Sequence, residues 1–205
     1  MIVIIDYGLG NLASIFNMLK KIGVESIISS DLGDIKNADK LILPGVGSFN
    51  TGMKNLKKYG IIDTLNQKVL EDSTPVLGIC LGMQLFTQKG EEGGAEGLGW
   101  IEGDSVKFDI PENSDNLKIP HMKWNTVEIL GKSKLFNDPI KERKFYFAHS
   151  YHIRCKNKED IVCMSNYGYD FAAAIEKKNI LGTQFHPEKS HKYGMEILGN
   201  FASLT

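Results

Sequence analysis

Cysteine is scarce in this chain. There are three, Cys80, Cys155 and Cys163, in 205 residues. An odd number without close paired spacing excludes a disulfide framework as the basis of the fold, and a reducing cytoplasm is the expected setting. Long apolar runs are missing as well. None approaches the roughly 20 residues that span a bilayer as a helix. The apolar start, Ile2–Ile5, meets Asp6 at once and has no basic flank, so it reads as a first strand and not as a signal segment. Charge of one sign is also lacking. Lysine and arginine number 24 against 25 acidic residues, a net charge of −1, which argues against a nucleic-acid binder and against a disordered chain. No His-Glu-x-x-His run and no zinc-type cysteine spacing occurs, so neither a metal nor any other cofactor is expected, and no Walker A lysine loop is present.

What is present is a globular mixture, 42% hydrophobic and 24% charged. The length suits one filled α/β core, expected as a single domain over residues 1–205. Short apolar runs alternate with amphipathic stretches. Strands are expected at Ile2–Ile5, Val24–Ser29, Lys40–Leu43 and Pro75–Ile79. Leu12, Ile15, Phe16, Leu19 and Ile22 repeat at helical spacing, with Gly23 as the stop. Met53–Tyr59 and Gly60–Glu71 read as helices. This alternation predicts a mostly parallel central sheet flanked by helices. Residues 90–99 hold five glycines and predict a mobile loop. Beyond residue 100 the pattern turns to short β-rich runs, Trp124–Ile129, Lys144–Phe147, Tyr151–Cys155, Ile161–Asn166, Phe171–Glu176 and Ile180–Phe185, which predict additional antiparallel strands before a closing helix at Met195–Ala202.

Three segments carry chemistry. Gly78-Ile79-Cys80-Leu81-Gly82 joins a strand to a helix with glycine two before and two after the cysteine. That is the nucleophile-elbow pattern with sulfur for oxygen: a turn this tight leaves no room for neighbouring side chains. Sulfur at a helix start is favoured as the thiolate, and the Leu81 N–H can face a developing oxyanion. His186-Pro187-Glu188 ends a strand and supplies an imidazole with a carboxylate two residues on, the partners a Cys–His–acid triad needs. Pro44-Gly45-Val46-Gly47-Ser48 follows a strand, and its two glycines can free N–H groups for an oxyanion hole and let a peptide turn over. Each segment alone has a plain structural alternative: a buried thiol, a surface His-Pro turn, an ordinary strand-to-helix turn.

Together, with Asp6-Tyr7-Gly8-Leu9-Gly10-Asn11-Leu12, Gly97-Leu98-Gly99-Trp100, Pro120-His121-Met122-Lys123-Trp124-Asn125 and His149-Ser150-Tyr151, these segments resemble the class I, triad-type glutamine amidotransferases over nearly the whole chain. Within them, the glutaminase subunits of imidazole glycerol phosphate synthases are the most similar branch. The resemblance implies a flavodoxin-like α/β fold and hydrolysis of glutamine to glutamate and ammonia. It implies a triad of Cys80, His186 and Glu188, an oxyanion hole shaped by Val46, Gly47 and Leu81, and glutamine held by Gly45, Gln84, Ser150 and Tyr151. It also implies a partner, a barrel cyclase that accepts the ammonia, docking around Asn11, Met122, Lys123, Trp124, Asn125 and Lys189. Two departures touch the docking side. Lys123 stands where the family usually has glycine, and Ala13 where it often has a larger polar residue. They leave a sugar amidotransferase, ATP-dependent and building amidino groups, as an alternative partner. Partner-independent γ-glutamyl hydrolysis is a further alternative. So is a dinucleotide-binding module, because Gly8-Leu9-Gly10-Asn11-Leu12-Ala13 matches G-x-G-x-x-A with Asp31 further on.

Overall fold

The computed structural model describes residues 1–110, 117–137 and 142–204. Its first half alternates as the apolar pattern dictates: β1 (Ile2–Ile5), α1 (Leu12–Lys21), β2 (Ser26–Ser29), α2 (Leu32–Lys36), β3 (Lys40–Leu43), α3 (Phe49–Lys58), α4 (Ile62–Asn66, continued by a π turn over Gln67–Glu71), β4 (Val76–Ile79) and α5 (Leu81–Gln84). Later come β5 (Lys89–Gly90), β6 (Gly103–Lys107), β7 (His121–Ile129), β8 (Arg143–His149), β9 (Tyr151–Cys155), β10 (Ile161–Asn166), β11 (Asp170–Lys177), β12 (Ile180–Thr183) and α6 (His191–Ala202).

Nine strands form one sheet in the order β2-β1-β3-β4-β12-β11-β10-β7-β8. The five from β2 to β12 are parallel, and each pairing from β12 to β8 is antiparallel. A smaller sheet joins β5, β6 and β9. Successive side chains of β1 enter opposite cores, Ile2 and Ile4 with α1 and α6 on one face, Val3 and Ile5 with α2 to α4 on the other. Burial on both faces is why these strands read as unbroken apolar runs.

Three expectations need correction. The helix expected from Met53 begins at Phe49, because the Ser48 hydroxyl caps it by accepting the Thr51 N–H. The polar strand β6 was not expected at all. The glycine segment 90–99 is not a free loop. Gly90 N–H bonds Ala95 O at 2.9 Å, Gly97 N–H bonds Gln88 O at 2.8 Å, and Leu98 N–H bonds Leu85 O at 2.8 Å. Its glycines exist for close approach: a Cβ on Gly90 would meet the Phe49 ring at 2.4 Å, and one on Gly97 would meet Thr87 O at 2.1 Å.

Candidate active site

The central feature is the turn between β4 and α5. Cys80 adopts φ 53 and ψ −108, a region that L-residues rarely visit. Its N–H is tied to Thr183 O of β12 at 2.7 Å. The flanking glycines are obligatory: a Cβ on Gly78 would meet Met83 N at 2.6 Å, and one on Gly82 would overlap Leu43 O at 1.8 Å. Leu81 begins α5, and a first-turn N–H has no acceptor within its helix.

β12 ends beside this turn and delivers His186. Cys80 and His186 interact through charge, and His186 Nδ1 lies 2.8 Å from Glu188 Oε1. All three are buried. Burial pulls the imidazole pKa down, but the charge of Cys80 and the hydrogen bond and charge of Glu188 outweigh it and hold His186 up at about 10. His186 is therefore held as the imidazolium beside the Cys80 sulfur. Glu188 Oε2 has no partner, so all of this carboxylate's bonding is given to the histidine.

A cavity of about 220 Å³ opens over the sulfur, lined by Val46, Gly47, Cys80, Leu81, Gln84, Glu92, Pro120, Met122, Ala148, His149, Ser150 and Tyr151. Six of the residues expected to form the oxyanion hole or hold glutamine thus meet at one wall. Gly45 does not line it. It lies beneath, where a Cβ would meet Leu81 Cβ and the Tyr7 hydroxyl at 2.8 Å.

Near the cavity lie further polar residues to which the sequence assigned no catalytic or glutamine-binding role, and of these His149 lines it. His149 Nδ1 is 2.8 Å from Tyr151 O, an acceptor only, so Nδ1 carries the proton. His149 Nε2 then accepts from His121 Nδ1 at 3.1 Å, and His121 Nε2 accepts from Asn125 Nδ2 at 3.3 Å. Both rings are neutral. Burial, with the neighbouring Lys123, lowers His121 to about 4, and burial holds His149 well below the usual range. Gln184, fully buried, donates from Nε2 toward Cys80 Sγ at 3.6 Å. Its only sequence signal was its place inside the strand that ends at His186.

The expected docking residues divide between two faces of β7. Met122 and Trp124, 60% and 42% exposed, point one way. Trp124 stacks on His191 and meets Tyr146 edge-on, and Lys189 Nζ lies over the Tyr146 ring at 5.6 Å. Trp124 is thus a surface residue. Lys123 and Asn125 point the other way, Lys123 Nζ 4.9 Å over Tyr167 and Asn125 against His121 and Asn166. Asn11 precedes α1 and accepts the Ser14 hydroxyl.

The model of the family "Glutamine amidotransferase class-I" matches residues 3–204. The chain belongs to this family. The amidotransferase is 53% identical over 98% of both chains to imidazole glycerol phosphate synthase subunit HisH 2 of Methanococcus maripaludis. It is 47% identical, over the full length of both, to the protein of the same name from Pseudomonas aeruginosa. The solved structure of PurLQS from Thermotoga maritima superposes with a TM-score of 0.73 over 98% of this chain and 96% of that one, at 18% identity, a likeness of fold alone. The residues behind the dinucleotide alternative have structural roles in this amidotransferase. Gly10 is needed where a Cβ would meet Pro44 at 2.9 Å, and Asp31 caps α2 by accepting the Gly33 and Asp34 N–H groups. Among the described residues no helix is long and apolar enough to cross a membrane.

Proposed function

We propose that this chain is the glutaminase subunit of an ammonia-channelling synthase, with imidazole glycerol phosphate synthase the synthase its relatives' names indicate. The observation behind this reading is the Cys80 elbow lining a small cavity, with its sulfur raising the pKa of a His186 that is held by Glu188 at 2.8 Å. In this mechanism the Cys80 thiolate attacks the side-chain carbonyl carbon of glutamine. The oxyanion draws on the Leu81 N–H and the Val46–Gly47 backbone. His186 gives its proton to the departing nitrogen, ammonia leaves, and a γ-glutamyl thioester remains. Water then attacks with His186 as base and glutamate is released, returning the sulfur to thiolate. Glu188 fixes the imidazole tautomer throughout. Gln84 presents its carbonyl oxygen to the cavity, since its Nε2 is spent on Tyr151 O at 2.8 Å and Gln184 Oε1 at 3.1 Å.

Ammonia is wasted unless an acceptor site is near. The face bearing Met122, Trp124 and Lys189 adjoins the cavity through Met122, and it supports docking of the cyclase there. The deciding experiment measures glutamate release by the chain alone, with a barrel cyclase subunit, and with an ATP-dependent sugar amidotransferase. Strong activation by the cyclase alone is expected. Activation by the sugar amidotransferase instead would move the pathway, and high unassisted turnover would favour a free γ-glutamyl hydrolase.

A further inference from the structure

Among the described residues, Gln184 is the one side chain outside the triad that donates a hydrogen bond toward the sulfur. Its amide orientation follows from a backbone atom. Tyr151 O can only accept, so the Gln84 atom 2.8 Å from it is Nε2. That same Nε2 lies 3.1 Å from Gln184, so the Gln184 atom facing it is Oε1. The other end of the Gln184 amide, 3.6 Å from Cys80 Sγ, is therefore the N–H donor. The Tyr151 carbonyl that starts this logic is itself held by His149 Nδ1 at 2.8 Å. Gln184 has no exposed surface, its own N–H bonds Ala173 O at 2.9 Å, and it does not line the glutamine cavity. It meets the sulfur from inside the protein, while substrate arrives from the other side.

We propose that Gln184 is a further catalytic residue of the glutaminase site, one whose side-chain amide donates a hydrogen bond to the Cys80 thiolate. The proposal rests on the reading of Cys80 as nucleophile. When glutamine is attacked, the C–S bond forms and the C–N bond breaks, with the His186 proton leaving on ammonia. When the thioester is hydrolysed, the C–O bond forms, the C–S bond breaks, and the electron pair returns to sulfur. Gln184 transfers no proton in either step. Its donor favours the anion, so it holds the thiolate ready beforehand and makes sulfur the better leaving group afterwards. Its fixed amide also explains a buried polar side chain at the end of an otherwise apolar strand.

Two variants test this. Gln184→Met removes the donor at similar length. Gln184→Glu keeps an oxygen acceptor for Gln84 but loses the N–H. Alkylation of Cys80 by iodoacetamide, followed by peptide mass mapping to separate Cys155 and Cys163, gives a pH profile that needs no partner. The profile midpoint is expected to move up by about one pH unit in both variants, the equivalent of about tenfold. In the complex with the activating synthase, kcat is expected to fall about tenfold, with KM unchanged because Gln184 does not line the cavity. In the unsubstituted chain, the Gln184 side-chain amide proton is expected to shift upfield when Cys80 is methylthiolated, and an unmoved resonance would overturn the proposal even if both variants misfold. Wild-type profiles in folded variants would overturn it too. Cys80→Ala separates the two layers: glutamate release by that variant sinks the nucleophile reading, whereas an inert Cys80→Ala beside wild-type Gln184 variants sinks the Gln184 assignment alone.

Discussion

Two histidine sites lie near the cavity, and they hold opposite charge states. His186 sits between a sulfur and a carboxylate and is raised to about 10. His149 and His121 sit between a carbonyl, each other and an amide, and both are lowered. All three are almost fully buried. Burial alone therefore decides nothing about the protonation of an imidazole here. The partners decide: the Cys80 sulfur and the Glu188 carboxylate favour an imidazolium, whereas neutral dipoles preserve a neutral ring with one donor and one acceptor. The first site is suited to moving a proton, and the second to keeping its protons where they are.

The strongest way to break this contrast is Cys80→Ala. Glutamate release is expected to fall by about a thousandfold or more, as loss of a nucleophile does. A pull-down should find the synthase still bound. The same variant removes the largest influence raising His186, so its imidazole, followed by NMR, should titrate well below about 10. Next in size is Glu188→Gln. It leaves the shape but loses the tautomer lock, and kcat should drop by about a hundredfold to ten-thousandfold in the activated complex. His186 should again titrate lower, since Glu188 also holds it up.

The His121–His149 site gives a smaller effect, read in stability. An unfolded histidine takes its proton near 6.5, but folded His121 refuses one until about 4. Between those values the unfolded state binds more protons, so the contribution is intact above 6.5 and is lost as pH falls toward 4. Thermal unfolding midpoints across that range should show the loss, and His121→Gln should narrow it. The smallest effect lies outside both sites. If the proposed docking face is used, Trp124→Ala should weaken synthase binding about tenfold, measured by titration calorimetry, and leave the unfolding midpoint nearly unchanged, because the ring lies at the surface.

Much of this was legible in the residue pattern, for reasons that differ by region. β1, β3, β9 and β10 fall within the runs that defined them because each is a short apolar or β-branched stretch bounded by turn residues. β6 was missed because Gly103-Asp104-Ser105-Val106-Lys107 alternates around a single apolar side chain. The residues brought to the cavity were legible where a motif imposes geometry, as Gly78 and Gly82 do at Cys80 and Pro187 does after His186. His121, His149 and Gln184 impose none locally. Each is a lone polar residue in or just beyond a strand, and its partners appear only once the strands are assembled. The docking residues split for a similar reason. A motif written as consecutive letters alternates between faces once it becomes a strand, so Lys123 cannot share the surface of Trp124.

The crowding under the elbow has a consequence for motion. Leu43 O lies where a Gly82 side chain would be, Tyr7 OH is hydrogen-bonded to Pro44 O at 2.6 Å, and Gly45 is wedged against Leu81. Those three residues are bolted to the nucleophile and can shift only with it. Val46 and Gly47 are exposed, Gly47 has φ 105, and no atom lies within 4 Å of where its Cβ would be. Rearrangement of this wall is therefore a two-residue hinge event on a rigid mount, and a docking partner has only that short stretch of backbone to turn.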